Sequence, residues 1–173
     1  MHRAENVDVK ERLEQLTRAL QRLSEEHGYP VICSLHPRTR SKMEEYGIDL
    51  RDDRVRFLVP LGFFDFVALE KAAYCVLSDS GTVQEETCIF GVPNVTIRDV
   101  TERPETIECG SNILSGVEPD TILRCVGIVT SRRGTWTPAP EYLEPNVSDK
   151  VIRIVLGYNH WRAWRPVAAN RGN

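Results

Sequence analysis

Five apolar runs, each four or five residues long, recur along this chain with helical stretches between most of them, and that alternation limits its fold more than any other feature. The runs are residues 31–35, 55–59, 74–77, 94–98 and 111–114. Between and around them, residues 8–27, about 41–46, 63–73, 82–90, 120–131 and 148–158 have helical character. The clearest helix is 8–27, where Leu13, Leu16, Leu20 and Leu23 form one apolar stripe, Asp8 is the expected N-cap and Gly28 the expected stop. Strands and helices alternating at intervals of roughly twenty residues describe βαβ units. The predicted class is therefore α/β, a Rossmann-like domain built on a parallel sheet. Residues 1–158 are read as that domain, residues 134–145 as a proline-rich surface connection within it, and residues 159–173 as a tail.

Ligands of such sheets bind beyond the carboxyl ends of the strands. The residues to inspect are thus His36, Pro60–Phe63, Asp79–Thr82 and Arg98–Glu105. In Leu77-Ser78-Asp79-Ser80-Gly81-Thr82-Val83-Gln84-Glu85-Glu86 a strand stops, turns through glycine and opens a helix. Thr82 and Glu85 have the spacing of a capping box. Gly81 suits a positive φ or a close backbone approach, and Ser80 adds a hydroxyl. The unpaired N–H groups of a first helical turn attract phosphate. On those residues alone, a well-capped helix without a ligand is an equally good reading.

Glu86 shares a helical face with Val83 and Phe90, so it is expected to point inward, where a carboxylate needs partners. Ribose hydroxyls are one such pair; a local donor is the other. Arg103, between Glu102 and Glu105, carries a fork of donors suited to a diphosphate, or it salt-bridges those neighbours. His36 either lines the cleft or serves the fold. Phe63, Phe64 and Phe66 are read mostly as core, with one ring available to stack on a base. His2-Arg3 has no evident core role.

Composition excludes several classes. A formal net charge of −3 leaves no basic excess for a general nucleic-acid binder. No apolar run approaches the ~20 residues that span a bilayer, so no membrane is expected. The five cysteines (33, 75, 88, 109 and 125) include no CxxC pair, which indicates neither a disulfide framework nor a zinc site, and the cytoplasm is the expected compartment.

Several words of the sequence then combine: His2-Arg3-x-Glu5-Asn6, His36-Pro37, Pro60-Leu61-Gly62-Phe63-Phe64-Asp65-Phe66, Asp79-Ser80-Gly81-Thr82-Val83-Gln84-Glu85-Glu86 and Thr101-Glu102-Arg103-Pro104-Glu105. In order and spacing, over roughly residues 2–158, they resemble the non-hydrolysing UDP-N-acetylglucosamine 2-epimerases. That resemblance implies the C-terminal, nucleotide-binding half of a two-domain GT-B fold, lacking its first strand. It implies that Ser80 and Arg103 hold a diphosphate, with Gly81 and Thr82 at the helix start, that Glu86 holds the ribose, and that His2 faces the reacting sugar. His36 and Phe63 join the UDP site. The implied reaction inverts C2 of a UDP-2-acetamido sugar, supplying cell-surface polysaccharide precursors, by eliminating UDP to a 2-acetamidoglycal and adding it back. No cofactor and no metal are implied. The acidic residues of the family's proton transfer belong to its N-terminal domain, so the chain alone is expected to be inactive. Its expected partner is that half, or a further copy of the chain. Family members often carry Gly-Gly where this chain has Gly81-Thr82, which leaves the sugar open. A stand-alone UDP-sugar-binding module and a GT-B glycosyltransferase fragment are the alternative readings.

Overall fold

A computed structural model describes residues 1–49 and 53–157. They divide into two units, Met1–Tyr142 and Leu143–Asn173, the second described only as far as residue 157. The tail expected at 159–173 lies outside the described residues.

In the first unit the order is α1 (Ala4–Val7), α2 (Lys10–His27), β1 (Val31–Ser34), α3 (Pro37–Tyr46), β2 (Val55–Leu58), α4 (Phe63–Ala72), β3 (Val76–Ser78), α5 (Gly81–Phe90), β4 (Asn94–Thr96), α6 (Pro104–Glu108), β5 (Asn112–Leu114) and α7 (Pro119–Thr130). All strand pairing is parallel, as the βαβ reading requires. β1 pairs with β2 from Val31↔Val55 to Ser34↔Leu58. β4 pairs with β3 on one side, Val76↔Asn94, and with β5 on the other, Asn94↔Asn112. Among the described residues these are two hydrogen-bonded groups, β1-β2 and β3-β4-β5, with no strand bonding one group to the other.

Helix α2 joins the groups from above, and its sequence shows how. Leu16, Ala19 and Leu23 enter a core with Val95, Ile97 and α7 residues Ile122, Leu123, Val126 and Val129. Leu13 and Leu20, offset around the helix, enter a second core with Cys33, Leu35, Met43 and Val55. Met1, Val31 and Leu77 pack against both. Truncating a fully buried leucine such as Leu13 to alanine costs about 2–5 kcal/mol in such settings.

Local signals explain the ends of the helices, with corrections. Gly28 closes α2 at φ 68°, a conformation that favours glycine. The expected Asp8 cap does not form: α2 starts after Val9, and Asp8 instead closes α1 and pairs with Arg38. Helix α3 begins earlier than its apolar pattern suggests, because Pro37 occupies the first turn and His36 caps it. Helix α6 has no apolar period to announce it; Pro104 starts it directly after Arg103.

The second unit contains α8 (Val147–Leu156), entered through Asn146 at φ 58°. Val151, Ile152, Ile154, Val155 and Leu156 are all exposed on it, and Lys150 pairs with Glu144 at 2.5 Å.

Candidate active site

The turn after β3 is held from below by Asp79, which is fully buried. Its Oδ2 accepts hydrogen bonds from the backbone N–H of His2 at 2.8 Å and of Arg3 at 3.0 Å. His2 Nδ1 lies 3.0 Å from its Oδ1. Burial pushes this carboxyl up, but the terminal ammonium, the two N–H groups and the His2 ring outweigh it and hold it below the usual aspartate range. Asp79 is thus the residue that brings the His-Arg word to the Asp-Ser-Gly word, 76 residues apart in sequence for the Arg3 contact. The partial exposure of His2 and its 6.2 Å ring separation from His36 place the two imidazoles side by side at the strand ends. The Nδ1 of His36 accepts from Arg38 N at 3.2 Å, so this ring is a helix cap as well as a neighbour of His2.

The N-cap of helix α5 falls two residues earlier than the capping-box reading has it. Ser80 is the N-cap, Gly81 the first helical residue, and no side chain caps the turn. Thr82 is exposed, and Glu85, the expected return partner, pairs with Arg103 instead. With Ser80 as the N-cap, Thr82 and Glu85 lie two residues too far into the helix for a capping box, which leaves Glu85 to pair with Arg103. Gly81 has no positive φ. It serves the close approach instead: a Cβ there would lie 3.7 Å from the Arg103 guanidinium carbon, so Arg103 lies across the glycine at the open helix start. The first-turn N–H groups and the Arg103 guanidinium therefore share one place, with Ser80 at the N-cap and 33 % of the Arg103 side chain remaining exposed. Glu102 and Glu105 do not pair with Arg103 through their carboxylates at ion-pair distance: Glu102 lies 3.6 Å from Arg98, and Glu105 accepts from the Tyr142 hydroxyl.

One residue that sequence reasoning left unassigned holds this arrangement. Gln84 is fully buried. It donates to Ser80 O at 3.3 Å and accepts from Thr101 Oγ1 at 2.7 Å and Asn112 Nδ2 at 3.2 Å. Thr101 Oγ1 in turn accepts from Arg103 N at 3.1 Å. The Ser-Gly turn and the Thr-Glu-Arg turn are thus tied through one buried amide. Its signal in sequence was only its place between Val83 and Glu85.

Glu86 is half-buried and faces α4 rather than a cation. Its partner is Glu70, the one buried residue of α4 and the second residue missed from sequence. Phe63 and Phe64 are 68 % and 84 % exposed and stack edge to face, 5.5 Å apart, which corrects their assignment to the core. They open α4 on the side of the strand ends, where a helix start needs no apolar cover. Phe63 is not in contact with the Arg103 cluster among the described interactions.

Residues 1–156 match the sequence profile of the family described as UDP-N-acetylglucosamine 2-epimerase. The chain belongs to that family. It is 41% identical over 139 residues to UDP-N-acetylglucosamine 2-epimerase of Methanocaldococcus jannaschii, covering 79% of this chain and 38% of that relative. It is equally 41% identical, over 123 residues, to UDP-2,3-diacetamido-2,3-dideoxy-D-glucuronate 2-epimerase of Pseudomonas aeruginosa, covering 71% of this chain and 34% of that one. A solved structure of the Methanocaldococcus jannaschii UDP-GlcNAc 2-epimerase in complex with UDP-GlcNAc and UDP matches with a TM-score of 0.84 at 37% identity, over 90% of this chain and 43% of that chain. The chain thus spans about two fifths of the length of the relatives it matches. Its fold is the C-terminal half of the GT-B architecture. No helix among the described residues is long and apolar enough to cross a membrane.

Proposed function

We propose that this chain is the nucleotide-sugar-binding half of an isomerase that inverts C2 of a UDP-2-acetamido sugar. The single observation that carries the reading is the Arg103 guanidinium lying across Gly81 at the uncapped start of α5. A bound diphosphate receives the helix N–H groups, the Ser80 hydroxyl and the guanidinium fork together. Glu86, on the same helix, takes the ribose hydroxyls, and the exposed Phe63 ring lies against the base. His2, fixed by Asp79, faces the sugar beside His36.

In the reaction, the C2 proton is removed as the C1–O bond to UDP breaks, giving a 2-acetamidoglycal; UDP then re-adds at C1 as C2 is protonated on the opposite face. The cluster at α5 favours departure because negative charge grows on the diphosphate as the glycosidic C–O bond breaks. Proton transfer at C2 requires acidic groups from the other half of the fold, and that half is the partner of this chain. The product class is a precursor for cell-surface polysaccharide.

The test combines calorimetry with an epimerisation assay. The chain alone is expected to bind UDP-GlcNAc weakly and to leave its C2 configuration unchanged. Supplying the N-terminal half is expected to restore inversion. Inversion at an enzyme-like rate by the chain alone would remove the need for a partner half. Glycosylated product with free UDP, in the presence of an acceptor, would move the chain to the glycosyltransferases. Binding with no inversion even beside the other half would leave a binding module.

A further inference from the structure

Glu70 carries chemistry that the proposed site does not use, in surroundings hard to reconcile with a simple core role. It is 3 % exposed, on a helix whose other residues all remain partly or fully open to solvent. Neither of its carboxyl oxygens meets an N–H or O–H donor among the described residues. Yet its carboxyl lies within hydrogen-bonding reach of Glu86 on α5. Two carboxylates cannot hydrogen-bond each other, whereas a carboxylic acid and a carboxylate can, through one proton.

The neighbouring charges leave that pairing undisturbed. Lys71 turns its ammonium over the Phe90 ring, 4.8 Å from the centroid. Arg133 donates to Ala73 O at 3.0 Å. Asp65 lies in the first turn of α4, more than one turn away, and Glu85 is occupied by Arg103. Glu86 is the charged group that acts on Glu70. Burial, then the Glu86 charge, pushes the Glu70 carboxyl up to about 7, so it changes protonation in the neutral range.

We propose that Glu70 shares one proton with Glu86 and is a positioning residue: protonated, it donates to Glu86 and holds that carboxylate oriented toward the two ribose hydroxyls of the nucleotide. This rests on the reading of Glu86 as the ribose ligand. One oxygen of Glu86 accepts from Glu70 and the remaining lone pairs accept from the sugar. When Glu70 ionises, the two carboxylates repel, Glu86 swings away and a second negative charge faces an already anionic ligand. Nucleotide-sugar binding therefore draws a proton from solvent at and above neutral pH.

The experiment is calorimetry of the full chain with UDP-GlcNAc, whose phosphates do not titrate in this range, in buffers of different ionisation heat. Affinity is expected to fall about tenfold from about pH 6 to about pH 8.5, with net proton uptake on binding. Glu70→Gln keeps a donor to Glu86 without a titrating group, so it is expected to bind at every pH as the wild type does at low pH, with no uptake. A purely structural Glu70 would leave the uptake of protons unchanged in that variant, and this result overturns the proposal while leaving the nucleotide reading intact. The 2′,3′-dideoxy analogue of UDP-GlcNAc should show no uptake with the wild type; equal uptake with and without the hydroxyls overturns the link to ribose. Failure of every form to bind UDP-GlcNAc overturns the nucleotide reading itself, and the ribose role of the pair with it.

Discussion

Glu85 and Glu86 are adjacent on α5 and live in opposite electrostatic surroundings. Glu85 pairs with Arg103 at the rim of the site. One residue on, turned about 100° around the helix, Glu86 faces another acid, Glu70. The first carboxylate is neutralised by a cation; the second is made tolerable by a proton. A helix thus presents one acid that keeps an arginine in place and another that keeps acceptor lone pairs available. Only the second lies against a carboxyl, that of Glu70, whose proton is exchanged near neutrality.

That contrast can be broken experimentally, and the largest effect is expected from the buried acid. The carboxyl of Glu70 is raised from 4.5 to about 7 in the fold, so the folded chain binds this proton more tightly than the unfolded chain. Its contribution to stability is complete below about 4.5 and is lost as pH rises through about 7. Denaturant unfolding should therefore show stability falling by on the order of 3 kcal/mol across that window, and Glu70→Gln should abolish the fall. A profile in Glu70→Gln that still falls as steeply would mean that a group other than Glu70 titrates in that window.

Next in size is Arg103→Ala. Losing a charge-assisted fork at the helix start should weaken UDP binding by about 2 kcal/mol, or some thirtyfold, measured by calorimetry. Equal affinity would separate Arg103 from the diphosphate. Below that comes Gln84→Leu. The Asn112 amide and the Thr101 hydroxyl lose their acceptor in or near the interior, so a loss of about 1–2 kcal/mol in thermal or denaturant stability is expected. The smallest effect belongs to Glu85→Gln. Its ion pair is about one third exposed on both sides, so stability should change by less than about 1 kcal/mol, and UDP affinity should rise slightly as Arg103 is released. A large stability loss there would show that the pair at the rim is a structural clamp rather than a placeholder for the ligand.

How much of this was legible before folding varies element by element. The parallel strands and the strand-end location of the site follow from period and apolar run length, which are local. The nearness of Arg103 to Gly81 was not legible locally, since the two are brought together only by the fold; the resemblance alone pointed to them, with Ser80 and Glu86, as a group. The capping box at Thr82 was not realised, because the helix begins at Gly81 and puts Thr82 inside its first turn. Phe63 and Phe64 were read as core because a sequence shows that a residue is apolar but not which side of its helix is covered.

By itself, then, the sequence determined the α/β class, the family and the segment where an anion would sit, because these depend on local period and on words of fixed spacing. Tertiary structure alone decided the partners: Asp79 under His2, Gln84 between two turns, Glu85 on Arg103 and Glu70 against Glu86. Apart from the local Gln84–Ser80 bond, each of those contacts joins residues at least sixteen apart in the chain, and their energies depend on burial and on the charge of whatever the fold brings alongside. Neither quantity is a property of the local sequence.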